Sequence, residues 1–184
     1  MRSKRVWGLA ALVAVLFVSV CASAQQKTFT LTKQGVGCVK MGMKYAQLPA
    51  KCDGLYTSVK KQVIENEMDG DYTQYVFYNG TTKVMSSNAY TDAVKNLTTY
   101  TPLVKATNGM YAGMPAVELY NHRAKINTNH EFYFETGIYQ FSATLSESGY
   151  KKANNDYLYN KPYVIAPTDF PKGAKIESMT VWIE

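Results

Sequence analysis

Asp69-Gly70-Asp71-Tyr72-Thr73-Gln74-Tyr75-Val76-Phe77-Tyr78-Asn79-Gly80 is the densest β-forming stretch of the chain. Tyr, Thr, Val and Phe suit a pleated, half-buried surface, and the Asp-Gly and Asn-Gly pairs at its two ends are strong hairpin signals. The stretch therefore predicts three antiparallel strands over Val59–Glu67, Asp71–Tyr78 and Thr82–Ser87. A fourth is expected over Leu97–Lys105. The theme returns at His130–Glu135 and Ile138–Thr144 around Thr136-Gly137, and Lys175–Ile183 alternates well enough for a last strand.

Upstream of each strand-rich region lies a matching motif. Gly42-Met43-Lys44-Tyr45-Ala46-Gln47-Leu48 aligns with Gly113-Met114-Pro115-Ala116-Val117-Glu118-Leu119, and Gly37 and Gly109 precede the two copies. Glycine tolerates a backbone reversal, and Pro115 suits the first turn of a helix, where no N–H is needed. Each copy reads as a strand end, a Gly-Met turn and a short helix, which Pro49 ends early in the first copy. The expected fold class is α+β: two tandem related units, residues 25–106 and 107–184, each a short helix packed on an antiparallel β-sheet.

This doubled Gly-Met-x-x-x-x-Leu helix with its strand meander resembles the repeat of the β-lactamase inhibitory protein. It is also similar to the single-copy plan of the small SmpA/OmlA (BamE) outer-membrane lipoproteins, and to uncharacterised exported proteins of Gram-negative bacteria built on that plan. The resemblance implies a short helical element on an antiparallel sheet, with an exposed sheet face or loops contacting another protein. The inhibitor family carries a disulfide in each repeat, whereas only the first unit here holds cysteines. No inhibitory residue is carried across.

The chain has 184 residues, 46% hydrophobic and 18% charged, with a formal charge of +6. These values suit a globular protein and exclude disorder, collagen and coiled coil. Arg2, Lys4 and Arg5 open an apolar run from Val6 to Val20 that ends in Ala22-Ser23-Ala24. A positive start, an apolar stretch and an A-x-A site predict a signal peptide over residues 1–24 rather than a membrane span. Its removal leaves 17 Lys and Arg against 14 Asp and Glu, too little excess to argue for nucleic-acid binding. The rival reading is lipidation at Cys21, but the bulky Val20 before that cysteine favours cleavage near Ala24 and release to the periplasm or beyond. The remaining Cys38 and Cys52 are expected to pair, as cysteines in an oxidising compartment do.

A search for chemistry finds little. His122 reads as capping a helix C-terminus and His130 as opening a strand. The acidic run Glu65, Glu67, Asp69, Asp71 brackets a turn and lacks a calcium-loop frame. No catalytic or phosphate-binding motif occurs, so no catalytic, metal or cofactor residues are assigned. Among fifteen tyrosines, the segment Tyr150 to Tyr163 stands out, with Tyr150, Tyr157, Tyr159 and Tyr163 among Lys and Asn. It reads as a projecting binding loop, or as an edge strand packing Tyr157 and Tyr159. The expectation is an exported, non-catalytic module that binds another protein, with no transmembrane segment. The alternatives are a glycan-binding envelope protein using exposed tyrosines and a small hydrolase with an unrecognised carboxylate pair. The intact mass of the exported protein should correspond to residues 25–184, and a diacylglycerol adduct on Cys21 would overturn the cleavage site.

Overall fold

The computed structural model describes residues 27–66, 70–127, 133–158 and 164–183. The described part opens with three short strands, β1 (Phe29–Thr30), β2 (Gly35–Val36) and β3 (Val39–Lys40), and a 3-10 turn at Tyr45–Gln47. A meander follows: β4 (Ser58–Ile64), β5 (Tyr72–Asn79), β6 (Thr82–Ala89) and β7 (Asn96–Thr99). After β8 (Val104–Lys105) and the one-turn helix α1 (Glu118–Asn121) comes a second meander, β9 (Lys125–Asn127), β10 (Tyr133–Thr136) and β11 (Tyr139–Ala143). Helix α2 (Glu147–Leu158) and a 3-10 turn at Pro167–Asp169 lead to β12 (Ile176–Trp182).

The expected hairpins form where the turn residues sit. β5 and β6 meet across Gly80 and Thr81, with Asn79 paired to Thr82, and β10 and β11 across Gly137 and Ile138, with Thr136 paired to Tyr139. The expected strand over Leu97–Lys105 is instead split: β7 ends at Thr99, and β8 pairs in parallel with β1.

The fold class differs from two helix-on-sheet units. The protein is mostly β, and its main sheet is one antiparallel array in the order β4-β5-β6-β7-β12-β11-β10-β9. The helical elements after the two Gly-Met turns are three and four residues long, too short to form a helical layer. Pro49 stops the first, and Arg123, at φ 52°, follows the second. The two meanders do not stand apart because β7 pairs with β12, from Thr99 opposite Met179 to Asn96 opposite Trp182. That seam removes two open sheet edges at once.

The Gly-Met turns hold equivalent places beside this seam. Gly42 N–H donates to Val94 O at 2.8 Å and Val94 N–H to Met43 O at 2.9 Å. Gly113 N–H donates to Ile176 O at 2.7 Å and Ile176 N–H to Met114 O at 2.8 Å. Both glycines have positive φ, 79° and 102°, which side chains resist. Each turn is thus clipped to the start of a central strand. Thr98 and Thr180, corresponding positions of the two strands, face each other with their hydroxyls 2.9 Å apart.

One face of the sheet is buried. Phe77, Met85, Leu97, Phe134, Phe141, Met179 and Val181 point into the core, each fully buried. They are covered by Leu31, Val36, Leu55 and Tyr56 from the N-terminal segment, by Val104, Met110 and Leu119, and by Phe170. The expected Cys38–Cys52 disulfide is present, with Cα atoms 5.9 Å apart. A loop of this length stabilises by about 3 kcal/mol.

Over residues 150–158 helix α2 stands in place of the expected loop or edge strand, and 159–163 lie outside the described residues. Seven of its twelve residues (Ser148, Gly149, Tyr150, Asn154, Asn155, Asp156 and Tyr157) are weak helix formers, so much of its stability comes from its ends and its docking. Ser146 accepts the Gly149 N–H at 3.1 Å, and Glu147 pairs with Lys151 one turn on. Ala153 is buried, and Lys152 reaches the buried Asp169 at 3.3 Å. Gly149 lies so close to the second 3-10 turn that a Cβ there would sit 2.4 Å from Asp169 O. In a free helix Gly→Ala stabilises by up to about 1 kcal/mol. Here Gly149→Ala should instead destabilise by about 2 kcal/mol through overpacking, which denaturant unfolding would measure.

Candidate functional site

Because strand side chains alternate, burying one face leaves the opposite one to present the remaining residues. That open face carries Lys60, Gln62, Gln74, Tyr78, Asn88, Thr98, Gln140, Ser142, Thr180 and Trp182, all partly or fully exposed. The strand register lines up its amides. Gln62 lies opposite Gln74, and Gln74 opposite Asn88. Gln62 Nε2 donates to Gln74 Oε1 at 2.9 Å, Gln74 Nε2 to Asn88 Oδ1 at 2.8 Å, and Asn88 Nδ2 to Tyr90 Oη at 3.3 Å. The buried Asn96 braces this chain by accepting Asn88 N–H and donating to Asn88 O, both at 2.8 Å. Such a chain polarises and stiffens its members while leaving each amide spare donors or acceptors.

At its end lies a row of rings. Tyr72 and Tyr90 are 5.4 Å apart by centroid, and Tyr90 and Trp182 6.3 Å apart and nearly parallel. Tyr90 and Trp182 are 59% and 43% exposed. Trp182 Nε1 donates to Gln140 Oε1 at 3.1 Å, and Gln140 Nε2 donates to Glu135 at 3.2 Å. Elsewhere on the face Lys60 stands over Tyr78 at 5.3 Å and Lys83 over Tyr100 at 4.1 Å, with the Tyr100 hydroxyl bonded to Ser86. The arrangement has rigid aromatic contact area, adaptable amides and two ring-held cations, which are the components of a recognition surface.

Of the tyrosines singled out by sequence, two fall within the described residues. Tyr150 sits on α2, 54% exposed, beside a shallow groove with Leu145 and Glu177. Tyr157 is also on α2. Tyr159, Tyr163, His130, Glu67 and Asp69 lie outside the described residues, as does the leader with Cys21. His122 occupies the residue that closes the C-terminus of α1, where its backbone N–H donates to Glu118 O and Tyr120 O. Among the described residues no three His, Cys, Asp or Glu side chains gather to hold a metal ion, and no helix is long and apolar enough to cross a membrane. Sequence reasoning missed Tyr72, Tyr90, Trp182 and the amide chain. The available signal was the in-register spacing of Gln62, Gln74 and Asn88 across two hairpins.

No protein-family model matches the chain, and no curated protein matches it. Among solved structures it is similar to the crystal structure of the uncharacterized protein YfeY from Escherichia coli. The TM-score is 0.53 at 11% identity, over 85% of this chain and 100% of that one. At that identity the likeness is one of fold.

Two phenols on the covered side have raised pKa values. Burial pushes Tyr45 up, against the opposing effect of its hydrogen bond to Ser87, and burial pushes Tyr56 from 10.0 to about 12. Tyr56 Oη donates to Pro49 O at 2.9 Å. A pKa raised on folding gives stability that is complete below the unfolded value and lost as pH climbs through the folded one. Thermal melts should therefore fall between pH 10 and 12. Tyr56→Phe should cost about 1 kcal/mol at neutral pH, the worth of one hydrogen bond, and should flatten that alkaline decline.

Proposed function

We propose that this protein is an exported, non-catalytic binding module that recognises another protein through the open face of its sheet. The observation that carries this reading is the braced chain from Gln62 to Tyr90, ending in the exposed row Tyr72, Tyr90 and Trp182. Large rigid rings beside adaptable amides form hot spots at interfaces. Lys60 and Lys83 bring positive charge to one part of this face, and Glu135 and Glu177, beside Gln140 and Ser142, bring negative charge to another, so the partner it fits presents a polar loop carrying charges of both signs. The disulfide supports an oxidising compartment, and the signal-like leader supports export to the periplasm or beyond. The resemblance of the Gly-Met turns to the β-lactamase inhibitory protein plan supports an exposed sheet face or loops as the contact surface.

A second reading rests on the same aromatic row. Neighbouring rings flanked by Gln and Asn could stack on the C–H faces of successive sugars while the amides bond their hydroxyls. The two readings separate in one experiment. Tagged protein of residues 25–184 is incubated with extract of its native envelope beside a Tyr90→Ala/Trp182→Ala variant. Trp182 is the sole tryptophan of that span, so its fluorescence follows binding by the wild type and by Lys60→Ala/Lys83→Ala, while recovery on the tag reports the variant that lacks it. Recovery of one protein by the wild type, with at least about thirty-fold weaker binding by the variant, is the expected result for lost hot-spot rings. Recovery of glycan instead, lost in the variant and unchanged by Lys60→Ala/Lys83→Ala, would favour the second reading. Equal recovery of any ligand by wild type and variant would overturn both.

A further inference from the structure

A groove of about 360 Å³ opens at the rim of the covered face, on the side of the sheet opposite Tyr72 and Tyr90, between the first 3-10 turn, strands β4 and β5 and the end of β6. Its apolar wall is the pair Tyr45 and Tyr75, stacked 4.3 Å apart with ring planes 10° from parallel. That wall is fixed, because the Tyr45 hydroxyl is bonded to Ser87 Oγ at 2.7 Å and to Asn88 O at 3.1 Å. Around it stand Lys44 from the turn, Lys61 from β4, Thr73 from β5 and Asp92 from the loop after β6.

The charges are unevenly used. Lys60 and Lys83 rest on rings, and Lys151 and Lys152 have carboxylate partners. Neither Lys44 nor Lys61 has a side-chain partner among the described residues, and the Thr73 hydroxyl is likewise unengaged. Two ammonium groups against one carboxylate leave the groove with one excess positive charge beside a rigid aromatic wall. An anion entering it gains charge-assisted hydrogen bonds from the lysines. A flat ring attached to that anion gains contact with the tyrosine pair. Asp92 disfavours a second negative charge.

We propose that this groove binds small, flat-ringed monocarboxylic acids, with the carboxylate between Lys44 and Lys61 and the ring against Tyr75. The site shares no side chain with the open-face surface, so it stands or falls independently of the reading above. The test is isothermal titration of residues 25–184 with 4-hydroxybenzoate, with 4-hydroxybenzyl alcohol as neutral control and terephthalate as dianion. The expected result is saturable 1:1 binding of 4-hydroxybenzoate, with both controls at least tenfold weaker. Lys44→Ala/Lys61→Ala should weaken 4-hydroxybenzoate at least tenfold, whereas Lys60→Ala on the same strand should leave it unchanged. Absence of saturable binding, equal binding of the neutral alcohol, or an equal effect of Lys60→Ala would overturn the proposal. These are exposed positions, and matching thermal melts would show that the variants keep the fold.

Discussion

The seam between β7 and β12 is the constraint on which the rest of the molecule depends. Each meander alone would be a four-stranded sheet with two raw edges and half a core. Pairing Asn96–Thr99 against Met179–Trp182 makes one sheet of eight strands and puts Leu97, Thr99, Met179 and Val181 side by side under a common cover. The Gly42 and Gly113 turns grip the chain where it enters these two strands, by the same pair of backbone hydrogen bonds. The clips hold the covering segments against the buried face.

Single-sided burial follows from that arrangement. The N-terminal segment, the stretch around Met110 to Leu119 and the region of Phe170 all lie over the same apolar surface. The opposite face is built of amides, hydroxyls and rings with a few charged side chains among them, its amides linked along the hydrogen-bonding direction of the strands. Its stiffness comes from strand pairing beneath and from Asn96 bracing Asn88, so its order does not rely on a bound ligand. Such pre-organisation reduces the entropy lost on binding.

The strands were legible because turn residues and β-formers alternate cleanly, and β4 to β6 and β10 to β12 fall within a few residues of their expected ranges. The Gly-Met turns were legible as motifs, but not the shortness of the helical pieces that follow them. Three further features were hidden for physical reasons. The β7–β12 seam joins segments far apart in sequence, and local pattern carries no trace of such pairing. In β5, Tyr72 and Tyr78 flank one face while Thr73, Tyr75 and Phe77 line the other, so aromatic residues on both sides blur which face is buried. Helix α2 is made by a serine cap, a close glycine contact and the Lys152–Asp169 pair, tertiary effects that outweigh poor propensity. The Tyr150–Tyr163 segment stands out in the sequence because its tyrosines are clustered, whereas the rings that gather on the open face are scattered at 72, 90 and 182.

The position of β12 carries a consequence for how the molecule is assembled. It is the final strand in chain order yet lies at the centre of the sheet, where two neighbours claim it. A chain threaded outward from its N-terminus exposes β7 as an unpaired edge for the whole time that the second half is still arriving. Closure is thus a late, long-range event, and topologies dominated by such contacts fold slowly. During that interval the unpaired β7 edge is the place where another chain could intrude. The brevity of β7, four residues ending in two threonines, limits the template it offers while the molecule waits for its last strand.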